Sequence, residues 1–454
     1  MEENQTISSI LMLPWLAHGH VSPYLELAKK LTARNFNIYL CSTPINLSSI
    51  RSKISPKFGK SIQLIELNLP TLPNLPPQYH TTNGLPPHLM VTLKEAFEMA
   101  SPNFCKILRT LMPDLLIYDL LQPWAPEAAS YYNIPAVEFI TCSATMTSCM
   151  LHFFQTPGIQ FPYSSTIFFR DYESAIANKL LERDGDANRV AQCIERSSKV
   201  LLIKSFKEIE GKYNDYVSCL SGKKVVPVGP LVQDPVHDNE DSTIMEWLNT
   251  KGKYSTVFVS FGSEYFLSKE DLEGVAHGLE LSSLNFVWVV RFPKGENIIV
   301  EEALPKGFLK RVGERGKIVN GWAPQAKILN HSSIGGFVSH CGWNSVLEGM
   351  RFGVPIIAVP MHLDQPVNAR LLEEVGAGME VVRGSTGKIH GEDMAEIINQ
   401  VVKGPRGEPV RKKARDLREK LELKGDEEID EVVKELVQLC LTKDKSNGLH
   451  QPIQ

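Results

Sequence analysis

The chain has 454 residues, of which 43% are hydrophobic and 22% are charged. This length predicts two domains, each large enough to bury a full core. The net charge of −4 argues against a nucleic-acid partner, and no run approaches the roughly 18 apolar residues of a membrane span. The start lacks a basic region before its short apolar run, and the eight cysteines show no metal-ligand spacing. We therefore expect a cytoplasmic monomer with no integral membrane segment.

The first half of the chain alternates short apolar runs with helix-like segments, which is typical of a doubly wound α/β domain. In such a sheet, ligands bind beyond the carboxyl ends of the strands. The predicted strands are 10–15, 37–41, 62–67, 114–118, 136–140, 200–203 and 225–228.

A turn with two histidines follows the first predicted strand. His20 lies just before a helix predicted to open at Ser22-Pro23, because Ser is a good N-cap and Pro suits the first helical position. The helix dipole disfavours an imidazolium there, so His20 is a candidate base near pH 7. A capping or packing histidine is the alternative, and His18 is a rival base two residues earlier.

Asp119 follows the predicted strand 114–118. A carboxylate at this position can bond one imidazole nitrogen, fix the tautomer and stabilise the imidazolium formed during a reaction. The alternative is a helix cap for the segment after Gln122.

Three segments of the first half lack regular periodicity. Residues 76–90, PPQYHTTNGLPPHLM, are too rich in Pro, Asn and Gly for an ordinary element, and such loops commonly carry specificity. Residues 229–241 are Pro-rich and acidic and are predicted to be the interdomain linker. Residues 143–195 carry apolar side chains that either line an apolar ligand pocket or pack a helical excursion. These are Met146, Met150, Leu151, Phe153, Phe154, Phe161, Phe168 and Phe169.

A second α/β domain is predicted over 242–425, after a first domain over 1–228. Its strands are 256–261, 286–290, 317–320, 334–339 and 355–359. The turn Gly262-Ser263 after a buried strand suits close approach to a phosphate. A helix over 426–441 has one apolar face and must pack against something, and 442–454 is predicted to be a flexible tail.

The polar side chains are densest between Trp322 and Gln365. A turn, HCGW, follows the strand 334–339, and a helix is predicted from Asn344. Free N–H groups and the positive dipole end at such a helix start favour an anion, so His340, Asn344 and Ser345 predict a phosphate site.

Two alternatives remain for this stretch from the residues alone. Ser345-Val-Leu-Glu348 fits a capping box, whose side chains satisfy only their own helix. Trp322 and Trp343 fit core aromatics. The chain has no GxxxxGK[ST] loop, zinc-type spacing or GxGxxG, which argues against nucleotide hydrolysis, zinc chemistry and dinucleotide redox work.

The stretch WAPQ, HCGWNS and the final DQ, in this order, resembles the signature box of plant family 1 UDP-sugar glycosyltransferases. The resemblance implies a GT-B fold, that is, two Rossmann-like doubly wound domains facing a central cleft, with the C-terminal helix packing back on the first. It implies inverting transfer from UDP-glucose, since a final Gln is associated with glucose donors. No Asp-x-Asp motif accompanies the box, so we expect no metal and no cofactor.

The resemblance also implies the donor contacts. Trp322 stacks on uracil, Ala323 and Gln325 hold the base and ribose, and Glu348 binds the ribose hydroxyls. The implied diphosphate contacts are Ser263, His340, Asn344 and Ser345. The implied contacts on the sugar side are Thr141, Trp343, Asp364 and Gln365.

On the acceptor side, the resemblance implies that His20, and not His18, is the catalytic base, with Asp119 as its partner. Residues 76–90 and 262–267 resemble the sugar-branching subgroup, whose members add a sugar to a sugar on a flavonoid or terpenoid. The expected acceptor is therefore a small-molecule glycoside. The alternatives are first-step transfer to the free aglycone, or a non-catalytic nucleotide-sugar-binding protein.

Overall fold

A computed structural model describes residues 8–176, 185–235, 242–294, 298–424 and 426–447. The chain divides into two compact units, each built on one parallel sheet. The first unit comprises Met1–Ile159, Leu181–Leu231 and Asp426–Gln454, and the second comprises Gln160–Leu180 and Val232–Gly425. Within the described ranges, no helix is long and apolar enough to cross a membrane.

The first unit has a seven-stranded parallel sheet of order β3-β2-β1-β4-β5-β6-β7. Its strands are β1 (Ser9–Leu13), β2 (Asn37–Ser42), β3 (Ile62–Glu66), β4 (Leu115–Tyr118), β5 (Ala136–Ile140), β6 (Val200–Ile203) and β7 (Lys224–Pro227). Its helices are α1 (His18–Thr32), α2 (Pro44–Arg51), α3 (Met90–Glu98), α4 (Ser101–Leu111), α5 (Trp124–Tyr131), α6 (Ala144–Gln155), α8 (Asp186–Arg196), α9 (Lys207–Ser221) and α19 (Glu427–Asn447).

The second unit has a six-stranded parallel sheet of order β10-β9-β8-β11-β12-β13. Its strands are β8 (Thr256–Ser260), β9 (Asn285–Val290), β10 (Gly316–Asn320), β11 (Ile334–Ser339), β12 (Ile356–Ala358) and β13 (Gly378–Glu380). Its helices are α7 (171–176), α10 (Ser242–Asn249), α11 (Lys269–Ser282), α12 (Val300–Ala303), α13 (Phe308–Val312), α14 (Gln325–Leu329), α15 (Trp343–Phe352), α16 (Gln365–Val375), α17 (Gly391–Val402) and α18 (Glu408–Lys424).

Central strands of both sheets are buried along their whole length, as expected when helices cover both faces. In the first unit, one face packs α1 and α19 through Tyr24, Val432 and Leu436, and the other packs α3 and α4 through Phe97 and Phe104. The last helix therefore belongs to the core of the first unit, where its apolar face is buried.

The predicted fold class is confirmed, and every predicted strand lies within two residues of an observed one. Strand β13 was not predicted, because its sequence, Gly-Met-Glu, contains no apolar run. Helix α1 begins at His18, earlier than the predicted Ser22, because the carbonyl of Ala17 accepts from the amides of His20 and Val21 at 2.9 Å. His20 therefore lies in the first helical turn rather than before it.

The units differ from the predicted domains in two places. Residues Gln160–Leu180 belong to the second unit, although they fall inside the predicted first domain. Helix α19 continues to Asn447, because no glycine or proline interrupts it before Gly448, so the predicted tail of 442–454 begins too early. Residues 448–454 and the linker residues 236–241 lie outside the described part of the chain.

The apolar side chains of 143–195 divide between the two predicted roles. Leu151 and Phe161 are buried and pack their segments, whereas Phe153 and Phe154 are 50% and 52% exposed. Phe168 is also exposed, at 43%, so three of the eight side chains have enough accessible surface to line an acceptor pocket.

Candidate active site

His20 and Asp119 form a hydrogen-bonded pair in the first unit. Nδ1 of His20 lies 2.9 Å from Oδ2 of Asp119, which is fully buried, whereas the His20 side chain is 22% exposed. A carboxylate can only accept, so Nδ1 carries the proton and Nε2 keeps its lone pair. In the neutral form of this imidazole, Nε2 is the nitrogen that can accept a proton.

The carboxylate of Asp119 is held in place by the backbone. Its Oδ2 accepts from the amide of Trp15 at 3.0 Å, and its Oδ1 accepts from the amide of Leu120 at 2.8 Å. Strands β1 and β4 are neighbours, so the ends of both strands orient the same carboxylate. Asp119 thus bonds these two amides and His20, and it does not have the alternative role of a helix cap for the segment after Gln122.

Thr141 also meets the histidine. Its Oγ1 lies 2.8 Å from Nδ1 of His20, and the residue is 4% exposed at the end of β5. The structure thus brings Thr141 to the imidazole, and its predicted contact with the donor sugar stays a prediction.

The Pro-rich segment 76–90 is an ordered loop bonded to the turn before His20. The amide of Thr82 donates to the carbonyl of Leu16 at 3.0 Å, and Oγ1 of Thr81 donates to the same carbonyl at 3.3 Å. Oγ1 of Thr43 donates to the carbonyl of His80 at 2.7 Å. The predicted specificity loop is therefore fixed next to the candidate base.

In the second unit, the predicted donor residues follow the carboxyl ends of four parallel strands. The strand ends of a parallel sheet meet at one edge, which is where ligands bind in doubly wound domains. Ser263 follows β8, Trp322 follows β10, His340 follows β11, and the Asp364-Gln365 pair follows β12.

Trp322 and Trp343 differ in exposure, and this difference separates their roles. Trp322 is 46% exposed, whereas Trp343 is 4% exposed. The guanidinium carbon of Arg291 lies 5.0 Å from the centroid of the Trp322 ring, a cation–π distance. Trp322 therefore offers accessible ring surface on which a base can stack, and it does not fit the predicted alternative of a core aromatic. Trp343 does fit that alternative.

Gln325, Ser345 and Glu348 are joined by hydrogen bonds. Nε2 of Gln325 donates to Oγ of Ser345 at 3.2 Å and also contacts Oε2 of Glu348. Helix α15 begins at Trp343 with Gly342 as N-cap, so Ser345 is already inside the helix. The capping-box alternative is therefore wrong, because Ser345 does not occupy the position from which it could cap the helix.

The turn after β11 places His340 between two glycines. A Cβ added to Gly262 or Gly342 would lie 2.5 or 2.6 Å from Nε2 of His340, so a side chain at either position would collide with the imidazole. Cys341 has φ 66°, in the left-handed region, and its amide donates to Oγ of Ser339 at 3.1 Å. The turn thus needs small or locally bonded residues around the histidine.

His340 is a neutral side chain at physiological pH. Burial, aided by the charges of His362 and Arg291, lowers the pKa of His340 to about 3. Burial also lowers the pKa of Arg291, to about 10, which leaves the guanidinium charged at pH 7. His340 can therefore offer an N–H group to an anion, while Arg291 provides the positive charge.

Asp364 and Gln365 are fixed at the start of α16. Oε1 of Gln365 accepts from the amides of Met361 and His362 at 3.0 and 3.1 Å, so its amide nitrogen is the atom left to bond a ligand. Nδ2 of Asn368 donates to Oδ2 of Asp364 at 2.8 Å and to the carbonyl of Cys341 at 3.0 Å. Asn368 therefore ties the Asp364 side of the site to the turn that carries His340.

The chain matches two families. The family described as "UDP-glucoronosyl and UDP-glucosyl transferase" matches residues 159–410, and the glycosyltransferase N-terminal domain family matches residues 6–233. The chain belongs to the UDP-glycosyltransferase family. It is an enzyme that uses a UDP-sugar donor and a small-molecule acceptor.

Relatives of this UDP-glycosyltransferase align over nearly its whole length. It is 55% identical to UDP-glucosyltransferase 29 of Panax ginseng, over 96% of this chain and 97% of that protein. It is 52% identical to a beta-D-glucosyl crocetin beta-1,6-glucosyltransferase of Gardenia jasminoides, over 96% of this chain and 100% of that one. The structure of UGT73P12 from Glycyrrhiza uralensis, complexed with glycyrrhetinic acid 3-O-monoglucuronide, is 24% identical and superposes with a TM-score of 0.83 over 98% of both chains, which shows the fold.

Two site residues of this UDP-glycosyltransferase were missed from its sequence. Arg291 directly follows β9, and a cation at the carboxyl end of a buried strand was the available signal. Asn368 carries no such signal, because its side chain acts on Cys341, 27 residues earlier in sequence. Among the described residues, no three His, Cys, Asp or Glu side chains group so that they could hold a metal ion.

Proposed function

We propose that this enzyme transfers glucose from UDP-glucose to a sugar hydroxyl of a flavonoid- or terpenoid-type glycoside, inverting the α-linked donor to a β-linked product. The observation that carries the proposal is the His20–Asp119 hydrogen bond of 2.9 Å, next to a loop bonded to Leu16. The candidate base and the loop predicted to select the acceptor thus lie in one hydrogen-bonded part of the first unit.

His20 acts as the general base. An acceptor hydroxyl is a weak nucleophile at neutral pH, and a positioned base is typically worth about 10² to 10⁴ in rate. Nε2 takes the hydroxyl proton as the oxygen attacks the anomeric carbon from the face opposite UDP. Asp119, which accepts from Nδ1, stabilises the imidazolium that forms.

The second unit binds UDP-glucose and stabilises the leaving group. Negative charge develops on the diphosphate as the glycosidic bond breaks. The amides of Asn344 and Ser345, in the first turn of α15, carry the positive end of the helix dipole. The N–H of neutral His340 and the charge of Arg291 add to this stabilisation.

Donor recognition follows from the side chains at the other strand ends. Trp322 stacks on uracil with Ala323 and Gln325 beside it, and Glu348 binds the ribose hydroxyls. Asp364 and the amide nitrogen of Gln365 bind the hydroxyls of glucose. Because Oε1 of Gln365 already accepts from the backbone amides of Met361 and His362, the side chain can present only its NH₂ group to the sugar.

A glycoside acceptor is supported by the loop 76–90 and by the glucosyl crocetin enzyme. The loop carries Thr81 and Thr82, bonded to Leu16, and the partly accessible Asn83. Polar groups near the base suit a sugar hydroxyl better than an apolar aglycone. The name of the 52% identical relative makes a 1→6 linkage the first to test.

The test is the mass of the product after incubation with UDP-glucose and matched pairs of aglycones and monoglucosides. One added hexose on the monoglucosides alone supports the proposal, and NMR of the product then gives the linkage. Addition to free aglycones alone would show a first-step glucosyltransferase. No addition to either, with UDP-glucose binding intact, would show a nucleotide-sugar-binding protein.

We also propose that the enzyme works in the reducing cytoplasm. All eight cysteines are free thiols, and Cys41, Cys149, Cys193, Cys341 and Cys440 are buried. This pattern is typical of reducing compartments. Fractionation of expressing tissue, with the enzyme followed by antibody, tests the location, and recovery in a secreted or membrane fraction would contradict it.

A further inference from the structure

A strap, defined as residues 160–176, belongs to the second unit although its neighbours in sequence, α6 and α8, belong to the first. It contains Phe168, Arg170, Tyr172 and Glu173. None of these residues belongs to the signature box, yet the strap packs on the elements that present Asp364 and Gln365.

Two acidic and two basic side chains join the strap to α16 and β13. Glu173 accepts from Nη2 of Arg370 at 2.9 and 2.8 Å through its two carboxylate oxygens. Nη1 of Arg370 lies 2.8 Å from Oε2 of Glu380. Arg170 donates to both oxygens of the same Glu380, at 2.6 and 3.2 Å. These four side chains form a closed, charge-balanced cluster, here called the ionic quartet.

The ionic quartet is shielded from water. The side chains of Glu173, Arg370 and Glu380 are 0%, 1% and 1% exposed. The ring of Phe168 lies 5.0 Å from the guanidinium carbon of Arg370 and 5.8 Å from that of Arg170. Buried charges are tolerated when each is paired, so removing one member leaves an uncompensated charge against α16.

Arg370 connects the ionic quartet to the start of α16. It lies five residues after Gln365 on the same helix, about 7.5 Å along the axis. The helix has 11 residues, so a side chain that fixes its second turn also fixes the direction of its first. Gln365 is the first residue of this helix, and Asp364 is its N-cap.

A second contact of the strap holds the other end of the segment 361–365. Nη2 of Arg383 donates to the carbonyl of Met361 at 3.2 Å, and the ring of Tyr172 lies 5.1 Å from the guanidinium carbon of Arg383. Between these two ends, Leu363 has φ 57° and is 50% exposed. A non-glycine residue persists in the left-handed region where its surroundings hold it there. The strap contacts Arg370 and Arg383, which bond the carbonyls of Pro366 and Met361 on the two sides of Leu363.

We propose that Glu173 and Arg170 are positioning residues for donor-sugar recognition: through Arg370 and Glu380 they fix the helix start that presents Asp364 and Gln365 to the hydroxyls of the transferred sugar. This inference rests on the proposed donor-sugar role of that pair. It extends the sugar site to a strap that precedes the signature box by about 150 residues of sequence, far outside any local motif.

The experiment compares the affinities of the full chain for UDP and for UDP-glucose, each by calorimetry, with KM and kcat alongside. The ratio of the UDP-glucose affinity to the UDP affinity, compared between variant and parent, reports the contacts with the sugar. In Glu173→Gln we expect UDP affinity within about twofold of the parent and UDP-glucose affinity lower by about tenfold, which is the size of effect that weakening one or two hydrogen bonds to the sugar produces. KM for UDP-glucose rises, and discrimination against UDP-galactose falls. Glu173→Asp, which keeps the charge, recovers at least half of the lost ratio.

Two further variants make the result decisive. Glu280→Gln removes a partly exposed carboxylate paired with Arg311 at 2.7 Å in the same unit, and it is the matched control expected to leave the ratio unchanged. Gln365→Ala tests the proposed sugar site directly. If Gln365→Ala lowers the ratio and Glu173→Gln does not, the strap inference is overturned and the proposed function stands. If Gln365→Ala leaves the ratio unchanged, the sugar-site assignment fails and the inference fails with it.

Arg170→Lys provides a second route if Glu173→Gln does not fold. The Arg170 side chain is 22% exposed, and the variant leaves the Glu173–Arg370 pair intact. A lysine loses the two-pronged contact with Glu380, and we expect a smaller fall in the same ratio, of about threefold. An equal loss of UDP and UDP-glucose affinity would show that the quartet is only structural and would overturn the inference.

Discussion

The imidazole of His20 and the carboxylate of Asp119 are joined by a 2.9 Å hydrogen bond across 99 residues of sequence. The bond fixes the tautomer: the proton sits on Nδ1, and Nε2 is the nitrogen able to accept. Because the amides of Trp15 and Leu120 also bond this carboxylate, Asp119 holds the ring in one orientation.

Replacing His20 tests this relationship. In His20→Ala we expect the transfer rate to fall by about 10² to 10⁴, because the acceptor hydroxyl loses its base. UDP affinity is expected to stay within about twofold, because the predicted nucleotide contacts all lie in the second unit. Rates from product formation and UDP affinity from calorimetry measure both effects. A parallel loss of UDP binding would show a structural histidine.

Asp119→Asn separates orientation from proton transfer. An asparagine can donate its amide N–H to Nδ1, which favours the tautomer with the ring proton on Nε2. Nε2 can then no longer accept the proton of the acceptor hydroxyl. We expect kcat to fall by at least about 10² while KM for UDP-glucose is little changed. Normal kcat in this variant would show that the carboxylate does not control the tautomer.

Glu348→Gln tests the predicted ribose contact. A carboxylate accepts from two hydroxyls, whereas an amide offers one acceptor, so UDP and UDP-glucose affinities should both fall by about tenfold. The melting temperature should change little, because α15 is capped at Gly342 and not by this side chain. Unchanged affinity with a lower melting temperature would assign Glu348 a purely structural role.

Acid should destabilise the second unit through its buried histidines. Burial, with the charge of Arg383, lowers the pKa of His362 to about 4, whereas an unfolded histidine titrates near about 6.5. Between these values the unfolded chain binds more protons, so stability is full above about pH 6.5 and falls as the pH drops toward 4. At pH 5 the loss from His362 is about 2 kcal/mol.

Urea unfolding curves at pH 7.5 and 5.0 measure this loss. We expect the difference between the two pH values to shrink by about 2 kcal/mol in His362→Phe, which cannot titrate. His88→Phe, at an exposed position, is the matched control and should behave like the parent. If both variants shrink the difference equally, burial of His362 is not the cause.

Transfer should proceed without a divalent metal. The charge on the leaving diphosphate can be met by Arg291, by the N–H of His340 and by the amides at the start of α15. Turnover after EDTA treatment and gel filtration should therefore stay within about twofold of the untreated rate. Activity that disappears with EDTA and returns with magnesium would contradict this prediction. The variant Arg291→Met then measures how much the guanidinium contributes to diphosphate binding, and we expect its UDP affinity to be lower.

Much of the site could be predicted because its residues stand next to local signals. Buried parallel strands give continuous apolar runs, and side chains that immediately follow those runs must lie at one edge of the sheet. His20, Asp119 and His340 were found in this way, whereas the predicted role of Trp322 came from the resemblance to the signature box. The capping box and the start of α1 were misread because they depend on which backbone amides find partners, and Ala17 and Gly342 carry no side-chain signal for that.

The sequence by itself determined the two α/β sheets, the family and the residues of its signature box, since each follows from patterns within about 40 residues. Only the tertiary structure decided that the strap joins the second unit and that Glu173 meets Arg370, 197 residues later. The physical reason is that a buried ion pair leaves no periodic trace. A glutamate that neutralises a buried arginine reads in sequence like any solvated glutamate, until the fold removes water from both.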